Sequence, residues 1–256
     1  MKSVPIYPLE RVPAQPGVVP AVQHSKSFKV GGYTPFTATD FPGKLAAVVF
    51  VQGCPWRCGY CHNPHLQPRT AESALSWKSL REALKRRIGL IDAVVFSGGE
   101  PTTDPCLGDA IRDVRALGFQ VGLHTGGAYA NRLIEVLPDL DWVGFDIKAN
   151  PEGYDDITLV EHSGEQAFAG AKAVLASGVA CEFRTTIHPS QISPEDILRL
   201  GERIAEMGAK NYALQLFREQ GCADQNLKGI HLTDYPGEIV LDRLRKLFPN
   251  FTFRSH

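Results

Sequence analysis

Three observations predict an α/β fold, an open (βα)6 partial barrel. Six apolar runs of strand length alternate with stretches of helix length, the runs are near-continuous in Val, Ile, Leu and Phe, and the polar residues suited to chemistry fall just after the runs. Parallel neighbours need a crossover, usually a helix. A sheet covered on both faces requires strands that are apolar throughout. Six units fall short of the eight that close a barrel, so a site is expected at the open C-terminal ends of the strands. An open doubly wound sheet is the competing arrangement.

Residues 1–27 carry Pro5, Pro8, Pro13, Pro16 and Pro20 with little periodicity and read as an extended leader. The domain proper spans 28–256. A short strand over 28–36 and a tight turn at Thr39-Asp40-Phe41-Pro42-Gly43 lead into the first long strand, 45–52, whose helix over 77–87 places Leu80, Leu84 and Ile88 on one face. The following strand and helix pairs are 92–97 with 107–117, 120–124 with 131–137, and 141–147 with 166–177. The fifth strand, 179–187, precedes a helix from Pro194 to Met207, with Ser193 as N-cap and proline at the first helical position. Strand 212–217 and a helix over 236–247 complete the series.

With 43% hydrophobic residues in 256, the chain can bury a sizeable core. A formal net charge of -1 supplies no field for nucleic acid or anionic membrane, so neither is an expected partner. No apolar run approaches a membrane span and residues 1–27 lack a signal-peptide h-region, which points to the cytoplasm. Six cysteines, three of them within eight residues, do not form a disulfide framework; a reducing compartment and metal or redox chemistry suit them better.

Those three are Cys54, Cys58 and Cys61 in Gly53-Cys54-Pro55-Trp56-Arg57-Cys58-Gly59-Tyr60-Cys61-His62-Asn63-Pro64. Thiolates from one loop can reach three corners of an iron–sulfur cluster. The alternatives are a zinc site completed by His62, which is awkwardly placed beside Cys61, and unliganded buried cysteines. The Cys-x3-Cys-x2-Cys spacing, with an aromatic before the last cysteine and Gly98-Gly99-Glu100-Pro101 one strand later, resembles the radical S-adenosylmethionine (SAM) superfamily.

That resemblance implies a radical SAM partial barrel. In it Cys54, Cys58 and Cys61 bind a [4Fe-4S] cluster, SAM chelates the fourth iron, and a reduced cluster cleaves SAM to a radical that abstracts hydrogen. An acid–base dyad is not expected. The resemblance further assigns Ser97, Gly98, Gly99 and Glu100 to the SAM amino group and Tyr60 to the adenine surroundings, and it places Thr125, Asp146, Lys148 and Arg184 at the cofactor. Read alone, Gly98-Gly99 would be a strand-ending turn, Tyr60 a packing aromatic, and Asp146 and Lys148 an exposed surface pair. Arg184 lies in an apolar run, which favours a buried, partnered guanidinium.

Thr37 to Gly43, Cys61-His62-Asn63-Pro64, Asp146-Ile147-Lys148-Ala149, Phe183-Arg184-Thr185-Thr186 and Leu214-Gln215-Leu216-Phe217-Arg218 are similar to segments of the glycyl-radical-enzyme activases. Within that group they resemble the proteins that activate anaerobic ribonucleoside-triphosphate reductase. The implied partners are a glycyl radical enzyme, most specifically that reductase, and an electron donor such as flavodoxin or ferredoxin. Alternatives are a pyruvate formate-lyase type of partner, a small molecule such as a deazapurine precursor, or a non-enzyme: an iron–sulfur electron carrier or a zinc-stabilised module. One departure stands out. His124 replaces a carboxylate linked in some activases to a monovalent cation, and imidazole is a poor ligand for such an ion. Cys106, Cys181 and Cys222 are scattered, so no second cluster is expected; His162, His188 and His231 read as structural or surface residues.

Overall fold

The computed structural model describes residues 27–255 except 71, 72, 74, 231 and 233, so the Pro-rich leader and His231 lie outside the described residues. Strands β1 (Val30–Thr37), β2 (Ala46–Val51), β3 (Ala93–Gly98), β4 (Gln120–Thr125), β5 (Trp142–Asp146), β6 (Ala180–Ile187), β7 (Asn211–Leu216) and β8 (Asn250–Arg254) form one sheet in that sequential order. β1 runs antiparallel to β2, and all later neighbours are parallel. β2 to β7 are the six expected strands. β1 matches the short strand expected before them, and β8 adds a parallel edge that the apolar-run reading missed. Its pattern, Asn250-Phe251-Thr252-Phe253-Arg254, alternates: the two phenylalanines pack on the core while Arg254 pairs with Glu182 at 2.9 Å.

Helices α1 (Trp77–Lys85), α2 (Leu107–Ala116), α3 (Ala130–Val136), α4 (Tyr154–Thr158), α5 (Ser163–Ser177), α6 (Pro194–Glu206) and α7 (Glu238–Leu247) connect the strands. The short α4 was not expected. α1 begins where the Ser76 side chain accepts the Ser79 N–H, and α6 where Ser193 accepts that of Asp196, with Pro194 at the first position. Both bury helix-spaced aliphatics, Leu80 and Leu84 in the first and Ile197, Leu200 and Ile204 in the second. No helix among the described residues is long and apolar enough to cross a membrane.

Alternation along the strands divides the core. Ala47, Val49, Val51, Val94, Phe96, Val121, Leu123, Val143 and Phe145 pack with the helices, while Ala46, Val48, Ala93, Val95 and Trp142 form a separate layer on the concave face. The turn at 39–43 folds into that concavity and inserts Phe41, whose ring lies 5.7 Å from Trp142. Gly122 makes the room, because a Cβ there would sit 3.0 Å from the Phe41 ring. With the lower part of the concavity filled, space remains at the C-terminal ends of β2 to β6, where the site residues emerge.

Candidate active site

β2 ends in Gln52-Gly53, and the loop that follows is pinned by its own backbone. Gly53 N–H donates to Leu66 O (2.8 Å), Cys54 N–H to Gln67 O (3.0 Å) and Cys61 N–H to Cys58 O (3.1 Å). Gln52 Nε2 donates to the carbonyls of His65 (3.1 Å) and Pro68 (2.5 Å), which ties the return segment to the strand end. Arg57 donates to the carbonyls of Cys54 (2.7 Å) and Trp56 (2.9 Å) from the exposed side. The three thiols are free and half-buried. Burial, with the Glu100 carboxylate adding to it, pushes the Cys54 thiol up to about 12; burial also raises Cys58, against the lowering effect of Lys148. Burial therefore disfavours the bare thiolate at Cys54 and Cys58.

At the end of β3 the backbone approaches this loop too closely for any side chain. A Cβ on Gly99 would lie 2.3 Å from Gly53 O, and one on Gly98, whose φ is +119°, would lie 2.4 Å from Val51 N. Glu100 follows, 2% exposed. Its Oε1 accepts from Thr102 N (3.0 Å), Thr102 Oγ1 (2.6 Å) and Thr125 Oγ1 (2.6 Å), and its Oε2 from Gly126 N (2.8 Å). The carboxylate thus latches the end of β4 to that of β3, and one Oε2 lone pair remains for a donor in the cavity.

Asp146 on β5 faces Arg184 on β6 across the sheet register, and their side chains pair at 2.8 Å (Oδ1 to Nε). Burial works against the Asp146 charge, but Arg184, then Lys148, hold its carboxyl below the usual range although 42% of the side chain faces open space. Gly144 gives the guanidinium its place: a Cβ there would meet Arg184 Cζ at 2.8 Å. The sequence expectation of a buried, partnered Arg184 holds, since its side chain is 11% exposed. Asp146 and Lys148 do not pair with each other directly. The Lys148 ammonium lies 5.4 Å from the ring centroids of both Trp56 and Tyr60. Burial would lower its pKa, but Tyr60, Cys58 and Asp146 outweigh that, and the group stays charged.

Two histidines border the same space. His124 Nε2 lies 2.8 Å from Asp40 O; burial, then the Arg184 charge, lowers its pKa to about 4, so it is a neutral ring donating to the 39–43 turn. His62 Nε2 is 3.0 Å from Arg218 O and its ring stacks on Phe217, so that nitrogen already has a backbone partner. His188 is buried rather than at the surface, and His162 is exposed.

Together these strand ends enclose one cavity of about 200 Å³. Cys54, Cys58, Cys61, Tyr60, Ser97, Gly98, Gly99, Glu100, Thr125, Asp146, Lys148 and Arg184, the residues singled out from the sequence, all line it. Sequence reasoning missed Trp56, Gly126 and Thr186, which line it as well. Trp56 stood inside the cysteine motif, so its position was visible but its role was not. Among the described residues, no three His, Cys, Asp or Glu side chains come together closely enough to ligate one ion. A tetrahedral zinc with bonds of about 2.3 Å draws its sulfurs to within about 4 Å of one another. Thiols spread around a cavity suit a multi-atom cluster instead.

The model of the radical SAM superfamily matches residues 48–201, which include the cysteine loop and the ends of β2 to β6. The chain belongs to the radical SAM superfamily. A putative glycyl-radical enzyme activating enzyme of Methanocaldococcus jannaschii is 27% identical over 233 residues, 85% of this chain and 90% of that protein. The pyruvate formate-lyase-activating enzyme of Clostridium pasteurianum is 33% identical over 166 residues, 62% of this chain and 68% of that enzyme. Among solved structures, QueE from Escherichia coli superposes with a TM-score of 0.55 at 19% identity, over 90% of this chain and 95% of that one. Streptococcus suis SuiB bound to SAM gives 0.63 at 18% identity, over 80% of this chain but only 48% of SuiB. The likeness to both structures shows the shared fold. The superfamily's cofactors are a [4Fe-4S] cluster and SAM, and the donor set fits them: three free thiols on one loop, a glycine-lined strand end and the Lys148 ammonium, which no carboxylate pairs among the described residues.

Proposed function

We propose that this radical SAM enzyme activates a glycyl radical enzyme by removing a hydrogen atom from a glycine of that partner. The observation that carries the reading is the similarity over 85% of the chain to a protein described as a glycyl-radical enzyme activating enzyme. Cys54, Cys58 and Cys61 would hold the cluster, and Gly98, Gly99, Glu100, Asp146, Lys148, Arg184, Ser97, Thr125 and Tyr60 would surround SAM. Bound there, the cluster and SAM supply one-electron cleavage of the sulfonium and abstraction of a hydrogen atom.

This chain's own residues hold, orient and shield. The Glu100 latch fixes the ends of β3 and β4. The spare Oε2 lone pair of Glu100 accepts from an amino group, and Lys148 offers its ammonium to an anion. Asp146 pairs with Arg184 rather than with Lys148, which leaves the ammonium available to that anion. The neutral His124, standing where related activases carry a carboxylate, and its neighbour Arg184 make a poor setting for a sodium or potassium ion. Free thiols of this kind belong in a reducing compartment, the cytoplasm.

The finer reading names anaerobic ribonucleoside-triphosphate reductase as the partner, on the segments given above, with flavodoxin or ferredoxin as the electron source. A pyruvate formate-lyase partner is the second reading, favoured by the similarity to the clostridial enzyme. Incubating the reconstituted enzyme anaerobically with SAM, a reductant and each candidate partner separates them. A glycyl-radical EPR doublet is expected on the reductase and not on the lyase. Turnover of a free metabolite with no radical on either protein would overturn the activase reading.

A further inference from the structure

Lys148 is half-buried in the cavity wall and makes no ion pair among the described residues, while the nearest carboxylate in sequence, Asp146, is taken by Arg184. A charge in that position needs compensation, and two aromatic rings provide part of it, each with its centroid 5.4 Å from Nζ. Of the two, Trp56 is the more rigidly set. It is 4% exposed and rests on Gly126, where a Cβ would come within 2.3 Å of the indole Cζ3. Its ring meets Tyr154 edge-on at 5.9 Å, and the Tyr154 hydroxyl accepts the backbone N–H of Lys148 at 3.3 Å. Trp56, Tyr154 and Lys148 therefore close a loop of contacts that fixes both the backbone and the ammonium.

We propose that Trp56 is a specificity-determining positioning residue: it holds the Lys148 ammonium toward the cavity, so that the site selects a ligand bearing a carboxylate. The ring compensates the charge without quenching it, as a carboxylate partner would, and leaves the ammonium's outer side free for an anion. The inference rests on the assignment of SAM to this cavity, and it names the group of SAM that Trp56 serves.

The test compares SAM with decarboxylated SAM by equilibrium dialysis against the cluster-loaded protein, with iron content and the EPR spectrum of the reduced cluster as controls. Wild type is expected to prefer SAM. Trp56→Leu should weaken SAM binding on the order of tenfold, leave the decarboxylated compound unaffected, and so collapse the preference. Trp56→Phe, which keeps a smaller aromatic face, should retain part of it. In the Lys148→Met background, Trp56→Phe should change the preference no further, and this cycle decides the matter if the leucine variant does not assemble a cluster. Equal weakening of both compounds by the Trp56 variants, or an undiminished preference, would overturn the inference while leaving the SAM assignment standing. Wild type that binds neither compound would overturn both.

Discussion

Removing the Glu100 carboxylate tests whether the site is pre-built before any ligand arrives. The group is 2% exposed and accepts hydrogen bonds from Thr102 N, Thr102 Oγ1, Thr125 Oγ1 and Gly126 N. In Glu100→Gln the amide oxygen can replace Oε1, but an NH2 then faces the Gly126 N–H, donor against donor. One charge-assisted bond is lost and one buried donor is stranded, which together cost about 3 kcal/mol. Glu100→Ala removes all four bonds, and water entering the gap limits the loss to about 5 kcal/mol, a large part of a typical domain's stability. The assay is urea unfolding of the cluster-free protein under reducing, anaerobic conditions, followed by tryptophan fluorescence. The glutamine variant should also melt roughly 8 °C lower. Glu100→Gln protein within 0.5 kcal/mol of wild type, yet unable to bind SAM, would refute the latch and make the carboxylate a ligand contact alone.

Two further perturbations follow from the same geometry. His124 is neutral in the fold with its pKa lowered to about 4, whereas an unfolded histidine titrates near 6.5. Its stabilising contribution is complete above pH 6.5 and is lost as pH falls to 4, by about 3 kcal/mol at most; His124→Gln should flatten the unfolding free energy across that window, and an unchanged slope would contradict the neutral assignment. Gly99→Ala places a Cβ 2.3 Å from Gly53 O, so the cysteine loop cannot close on β3; cluster reconstitution should fail in this variant, and a full iron complement would show that the contact yields.

Much of this arrangement was legible because it is written in local pattern. The six parallel strands follow from apolar runs separated by amphipathic helices, and Cys54, Cys58 and Cys61 from spacing. The residues after each strand converge because parallel connectivity brings strand C-termini to one rim. β8 was not legible as an apolar run because an edge strand alternates, with only Phe251 and Phe253 turned to the core. Partner choice within the site was equally hidden. Asp146 and Lys148 are two apart on one strand end, yet Asp146 pairs with Arg184 across the sheet, a contact fixed by register between β5 and β6. Trp56 and Gly126 are 70 positions apart in sequence, and nothing in either segment announces that one seats the other. Phe41 plugging the concave face is a long-range contact of the same kind, although Gly122, a glycine inside a strand, was a trace of it.

The central claim is that the three cysteines hold a [4Fe-4S] cluster whose open iron takes SAM. It is tested most directly by anaerobic reconstitution with iron and sulfide, reduction, and addition of SAM while the EPR spectrum is recorded. A [4Fe-4S]+ signal that changes shape on SAM binding, slow release of 5′-deoxyadenosine, and loss of both in Cys58→Ala are the expected results. Bound zinc with no such signal, or a cluster whose spectrum is indifferent to SAM, would contradict the account.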